Sequence, residues 1–270
     1  MNRTVLYILI FLVGGLLSSR CSRPTVYGIG NVGTEGKYIP KPEYKDTVTS
    51  EFYVSGQYYH GEESGYNSNE ESFFGDFVIA RSITHEKFNY AYGVTGFYGE
   101  YHAAGVRYPE NHGTNFIHDG IKDFYGGGLM GEFNVLMKNI FTIPGLFGFK
   151  EKKYIGIRAN IFYEAGDYRL YRMRIRSLSP NYYDIHQQRP MMNLSLTSDY
   201  SFELKKVHLG LFTAFGATFP GESPLININI APYLKIHRWS VYAQVNFGIS
   251  WTHSRDIGNY SLGINYRIYE

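Results

Sequence analysis

From Thr47 onward, apolar and polar residues alternate one for one in segment after segment. In 191–204, Leu194, Leu196, Tyr200, Phe202 and Leu204 oppose Asn193, Ser195, Thr197, Asp199, Ser201 and Glu203. In 239–251, Trp239, Val241, Ala243, Val245, Phe247, Ile249 and Trp251 oppose Ser240, Tyr242, Gln244, Asn246, Gly248 and Ser250. Successive side chains of an extended chain point to opposite sides, so a period of two marks strands with one apolar and one polar face. Ten such segments are expected, near 48–59, 72–84, 88–101, 122–137, 153–168, 191–204, 207–219, 225–236, 239–251 and 259–269. No stretch carries a helical period.

A soluble sandwich also has one polar face, so alternation alone does not identify the solvent. Three features do. The segments are about twice as long as the roughly 5–6 residues usual in soluble sheets. Connections alternate between short (85–87, 205–206, 237–238) and longer (60–71, 102–121, 169–190, 252–258), as in outer-membrane barrels, although 138–152 is long for a turn and 220–224 short for a loop. Finally, Trp239 and Trp251 share a face at a separation of about 28 Å along the normal for a strand tilted near 45°, enough to bracket an apolar band of about 25 Å. The expectation is an all-β protein, an antiparallel transmembrane β-barrel of about ten strands over residues 47–270. Closure removes the sheet edges, so the last strand needs no tail to cover it.

Composition adds an address. Arg3 precedes an apolar run from Val5 to Leu17, too short to span a bilayer and suited to a signal sequence, so residues 1–20 read as a signal peptide. "LLSSRC" follows, with the only cysteine, Cys21, and this resembles the lipobox of bacterial lipoproteins. The resemblance implies lipid attachment at Cys21; ordinary cleavage near Ser18–Ser19 is the alternative. One cysteine builds no internal disulfide. Residues 21–46, rich in Gly, Pro and Lys, read as a flexible periplasmic linker. Their "GIGNVG" (Gly28, Gly30, Gly33) has the spacing of a dinucleotide fingerprint, but no strand precedes it and no helix follows, so no nucleotide site is expected. A net charge of +2 points to no nucleic acid.

Candidate chemistry is sparse. The inward positions offer Glu51, Asp76, Glu132, Glu164, Asp199 and Glu203 against Arg158, Lys235 and Arg267. In a barrel of eight to ten strands such charges form a salt-bridged, side-chain-filled interior rather than a wide pore. After the fifth strand, Arg172, Arg174 and Arg176 alternate with Tyr171, Met173 and Ile175, in phase with that strand. The strand would then project beyond the membrane with three guanidinium groups along one side. These suit lipopolysaccharide phosphates or an acidic partner, or else ion pairs with Glu62, Glu63, Glu70 and Glu71. His60, His102, His112 and His118 read as solvated loop residues, and no metal or other cofactor is expected.

The ending "NYSLGINYRIYE" resembles the C-terminal assembly signal of outer-membrane proteins, carried by Ser261, Gly263, Tyr266 and Ile268. That resemblance implies recognition by the barrel-assembly machinery. With a lipoprotein-type signal and a Tyr- and Gly-rich barrel, the chain resembles outer-membrane proteins of Bacteroidota. The group's small barrels accompany secretion, uptake and assembly machines, so the resemblance implies a non-enzymatic scaffold or accessory subunit with other outer-membrane proteins as partners. Both termini would then be periplasmic and the wall would meet outer-membrane lipids. Two alternatives stand beside it. Ten strands also resemble the omptin proteases, for which Asp184 with His186, or His118 with Asp119, would be the candidate pairs, and a lipid-modifying enzyme belongs with them. The third reading is a narrow solute channel.

Overall fold

Each of the ten segments expected as strands contains a strand. The computed structural model describes residues 37–44, 47–63, 70–109, 115–137, 150–178, 190–204, 207–219, 225–250 and 256–269. The strands are β1 (Thr49–Glu63), β2 (Glu70–Thr84), β3 (Phe88–Pro109), β4 (Asn115–Leu136), β5 (Lys150–Ala165), β6 (Met191–Leu204), β7 (Val207–Phe219), β8 (Leu225–Ile236), β9 (Trp239–Ser250) and β10 (Asp256–Tyr269). Each pairs antiparallel with its neighbours in sequence, and β1 closes the ring on β10, from Phe52 opposite Tyr269 to Glu63 opposite Ile257.

Closure satisfies a hard constraint, because hydrocarbon offers no partner to an unpaired N–H or C=O. The outer wall is apolar on every strand: Tyr58, Phe77, Val94, Leu129, Ile157, Leu196, Phe215, Ile230, Val241 and Leu262 all point outward. Their polar neighbours in sequence point into the lumen, where Gln57, Asp76, Thr197, Asn229, Ser240 and Ser261 are buried. No helix among the described residues is long and apolar enough to cross a membrane; the strands make the crossing. Trp239 stands outward at the start of β9 with its ring centroid 4.5 Å from that of Tyr266, while Trp251 lies outside the described residues.

Two expectations are corrected. The segment 102–121, read as a loop, is mostly strand, because β3 and β4 each run for 22 residues with one register shift between Ala103 and Val106. The projecting continuation of β5 is a helix instead, α1 (Asp167–Leu178). Gly166 turns the chain with φ of +111°, and a Cβ there would also collide with the backbone of Asp123 and Phe124. Asp167 N then donates to Asp123 Oδ1 at 3.2 Å. Tyr168 and Tyr171, one helical turn apart, lay their rings over Tyr101 and Phe124 and close part of the long-loop mouth. Around a helix, residues two apart sit about 200° from one another. Positions 172 and 176 therefore share one side of the helix and position 174 the other, whereas a strand would have placed all three on one side.

The solvent of the outer wall can be tested at Leu196, which is 62% exposed on β6. Leu196→Arg at an aqueous surface would change stability by about 0.5 kcal/mol or less. On a lipid face near the midplane the cost is about 2–4 kcal/mol. Urea titration of the barrel refolded in phospholipid vesicles should give the larger loss, and an unchanged midpoint would contradict a lipid-facing wall.

Candidate functional site

The lumen divides into two halves of different chemistry. Towards the long-loop end, one wall is aromatic: Tyr59 stacks on Phe74 at 4.1 Å, and Phe74, Phe97 and Phe124 pack edge to face or tilted at 5.7–6.2 Å. The opposite wall is a hydrogen-bonded layer of small polar side chains. Asn193 donates to Thr218 at 3.1 Å, Asn227 donates to the same hydroxyl at 2.6 Å, and Gln244 donates to Asn229 at 3.4 Å.

Towards the short-turn end the lumen holds a segment of the chain itself. Residues 37–44, read as part of a linker over 21–46, run inside the ring; the rest of that linker lies outside the described residues. Lys37, at 2% exposure, places its ammonium 2.7 Å from Asp76 and donates to Thr95 Oγ1 at 2.9 Å. Its carbonyl accepts from Arg158 Nη1 at 2.5 Å. Lys41 lies 2.9 Å from Asp199 and 3.3 Å from Glu132. Between the two lysines, Ile39 fills an apolar patch formed by Val78, Ala80, Ala91 and Met130. Tyr38 points the other way and stacks on Tyr233 at 3.9 Å, edge-on to Tyr242. Strap and wall interlock, charge on carboxylate and ring on ring.

The wall is built to receive it. Tyr233 faces Gly210 across β8 and β7, and Tyr242 faces Gly263 across β9 and β10. Each ring lies flat over its glycine, where a Cβ would collide with it. The phenols are then anchored: Tyr233 donates to Asp199 at 2.7 Å and Tyr242 to Gln57 at 2.9 Å. Gly263 thus has a packing role in the folded barrel besides its place in the terminal motif. Ser261, another member of that motif, is buried in the lumen and accepts from Gln57, whereas Ile268 faces outward.

Of the nine lumen charges expected from sequence, Glu164 is buried on β5 and the other eight are placed as follows. Arg158 pairs with Glu132 through Nε at 2.7 Å and through Nη2. Arg267 pairs with Glu51 at 2.6 Å. Asp76 and Asp199 take their cations from the strap, and Lys235 donates to the Lys41 carbonyl at 3.3 Å. Glu203 sits at the short-turn mouth, 3.9 Å from Lys152, which also pairs with Glu43 at 3.1 Å. Glu43, Glu203 and His208 could offer three ligand atoms within 4.8 Å. Lys152 stands against both carboxylates and offsets part of their charge.

Sequence reasoning missed Lys37 and Lys41 because they lie among Pro, Gly and Tyr residues with no periodicity. A signal was present in the inward list itself, where carboxylates outnumber cations. Of the omptin-type residues, Asp184 and His186 lie outside the described residues, as do the loop residue His112 and Cys21, while His118 and Asp119 belong to the β4 backbone, His118 opposite Val106. His102 stands 3.1 Å from Glu100, and the His60 ring stacks on Phe73.

Breaking a buried pair by removing one partner costs about 3–5 kcal/mol, because the other charge is stranded. Lys37→Met should therefore destabilise the barrel strongly, and adding Asp76→Asn should recover part of the loss. Denaturant melts of the two single variants and the double variant read this coupling. Additive losses would mean that the two groups do not interact.

No family model matches the chain, and no curated protein does. Among solved structures it is similar to the β-domain of the Bordetella autotransporter BrkA, with 8% identity, a TM-score of 0.38 and coverage of 80% of this chain and 98% of that one. It is similar to Ail, the attachment invasion locus protein of Yersinia pestis, solved with the heparin analogue sucrose octasulfate, with 8% identity, a TM-score of 0.31 and coverage of 81% and 97%. The outer membrane protease OmpT from Escherichia coli is similar over 83% of this chain and 97% of its own, with 9% identity and a TM-score of 0.32. The fold class stands on the closed strand ladder itself: the chain is a ten-stranded antiparallel barrel of the outer-membrane type.

Proposed function

We propose that the protein is a sealed outer-membrane barrel that serves as a non-enzymatic scaffold or accessory subunit of a larger membrane complex. The observation that carries the reading is the strap. A conducting barrel needs a continuous wet path, whereas residues 37–41 fill the short-turn half with two ion-paired lysines, an apolar plug and a stacked tyrosine. Among the described residues, a cavity beside Tyr38 and Lys41 is about 30 Å³, room for about one water. A narrow solute channel is accordingly the weaker reading.

In this proposal the short turns and the C-terminus face the periplasm and the long loops face outward. Lys87, Lys152, Lys153 and Arg238, at or near the short turns, would then meet anionic head groups of the inner leaflet. The outer wall provides the contact surface for partner barrels, and the terminal motif provides recognition during assembly.

Planar-bilayer recording tests the seal. The full barrel should give no unitary conductance, while a variant lacking residues 37–44 should open the short-turn half and give discrete steps. Steps of equal size in both proteins would defeat the reading and favour a channel. Purification in mild detergent tests the rest, since a scaffold should co-purify with defined membrane chains in fixed ratio.

A further inference from the structure

Along β2 the outer wall carries its charges at the two ends. The outward positions run Glu71, Phe73, Gly75, Phe77, Ile79 and Arg81, a carboxylate and a guanidinium with only uncharged residues between them. Ten residues of strand tilted near 45° cover about 23 Å of the membrane normal, close to the height of about 25 Å that an apolar band needs. Glu71 therefore marks one head-group level, and Arg81 marks the other, beside the short turn at 85–87. A cation is tolerated at that depth, whereas at the midplane it is not.

Arg81 is held in place by neutral groups. Its Nε donates to Ser50 Oγ at 2.9 Å, and its guanidinium lies over the Phe52 ring, 5.1 Å from the centroid. Among the described residues no carboxylate pairs with it. The four N–H groups on Nη1 and Nη2 remain to donate. That edge of a guanidinium matches two oxygens of one phosphate, and the ring beneath fixes its plane before any ligand arrives.

The surroundings are divided as a lipid is divided. Phe52, Arg81, Tyr92 and Gly131 are opposed in turn across β1, β2, β3 and β4. Tyr92 is exposed, and a Cβ on Gly131 would meet nothing within 4 Å, so a notch opens beside the tyrosine. One step towards the midplane, Val54, Ile79, Val94 and Leu129 form the next outward row in the same register, and all four are exposed and apolar. A row with an unanswered cation thus borders directly on an aliphatic row. We propose that this strip of wall binds one phospholipid, with its phosphate on Arg81, its head group in the notch at Gly131 and its acyl chains over Val54, Ile79 and Val94. The site needs the lipid-facing wall but not the scaffold role.

The experiment titrates the full-length barrel in maltoside detergent with dioleoyl phosphatidylglycerol and counts bound lipid by native mass spectrometry. Binding should saturate at one lipid per barrel. Arg81→Gln should weaken it roughly tenfold or more, because a charge-assisted bidentate pair is lost. Arg81→Lys should recover only part of the affinity, since an ammonium has no planar fork. Gly131→Leu keeps the guanidinium, fills the notch and should weaken binding as well; it carries the comparison if Arg81→Gln fails to fold. Glu71→Gln, at the opposite rim, should leave binding unchanged. Equal affinity in the wild type, Arg81→Gln and Gly131→Leu overturns the proposal. So does equal binding of dioleoylglycerol, which has the same chains and no phosphate. Full displacement of the lipid by inorganic phosphate would make this a site for the free anion and overturns the proposal too.

Discussion

Carboxylates shut inside a ring of strands stay ionised only if cations stand beside them, since a buried lone charge loses several kcal/mol of hydration. This barrel turns Glu51, Asp76, Glu132 and Asp199 inward, and its own strands answer only part of that charge, with Arg158 and Arg267. Lys37 and Lys41 supply the remainder from a segment outside the sheet. The wall and the strap therefore need each other. Without the strap, Asp76 and Asp199 face a water-filled space, and without the barrel, the strap has no structure of its own to adopt.

The same dependence shapes the apolar parts. Val78, Ala80 and Ala91 are small or branched residues on the inner wall, and they make sense as the socket of Ile39. Tyr233 and Tyr242 lie flat over cross-strand glycines and give Tyr38 a ring to stack on. At the opposite end α1 folds Tyr168 and Tyr171 over the aromatic wall. A barrel of this girth has little interior to spare, and this one spends it on packing instead of passage.

The ten strands were legible because their alternation is dictated by lipid on one side and a packed lumen on the other, and this constraint acts on every residue of every strand. Leu196 outward and Thr197 inward follow from it, as do Leu262 and Ser261. Helix α1 was not legible because Tyr171, Met173 and Ile175 alternate with arginines, which mimics a strand. Only the turn demanded by Gly166 and the spacing of Tyr168 and Tyr171 betray a helix. The strap left no periodic trace, since eight residues that touch several strands obey no single face. Its two lysines could have been inferred only from the surplus of inward carboxylates.

The central claim is that residues 37–44 are locked in the lumen of the folded barrel, and thiol reactivity at residue 39 tests it most directly. In Ile39→Cys with Cys21→Ser, a small water-soluble maleimide should leave the folded barrel unlabelled over a period that fully modifies the same protein after heat unfolding. Rapid modification of the folded barrel, at the rate of a freely exposed thiol, would contradict the account and return residues 37–44 to the solvent as a linker.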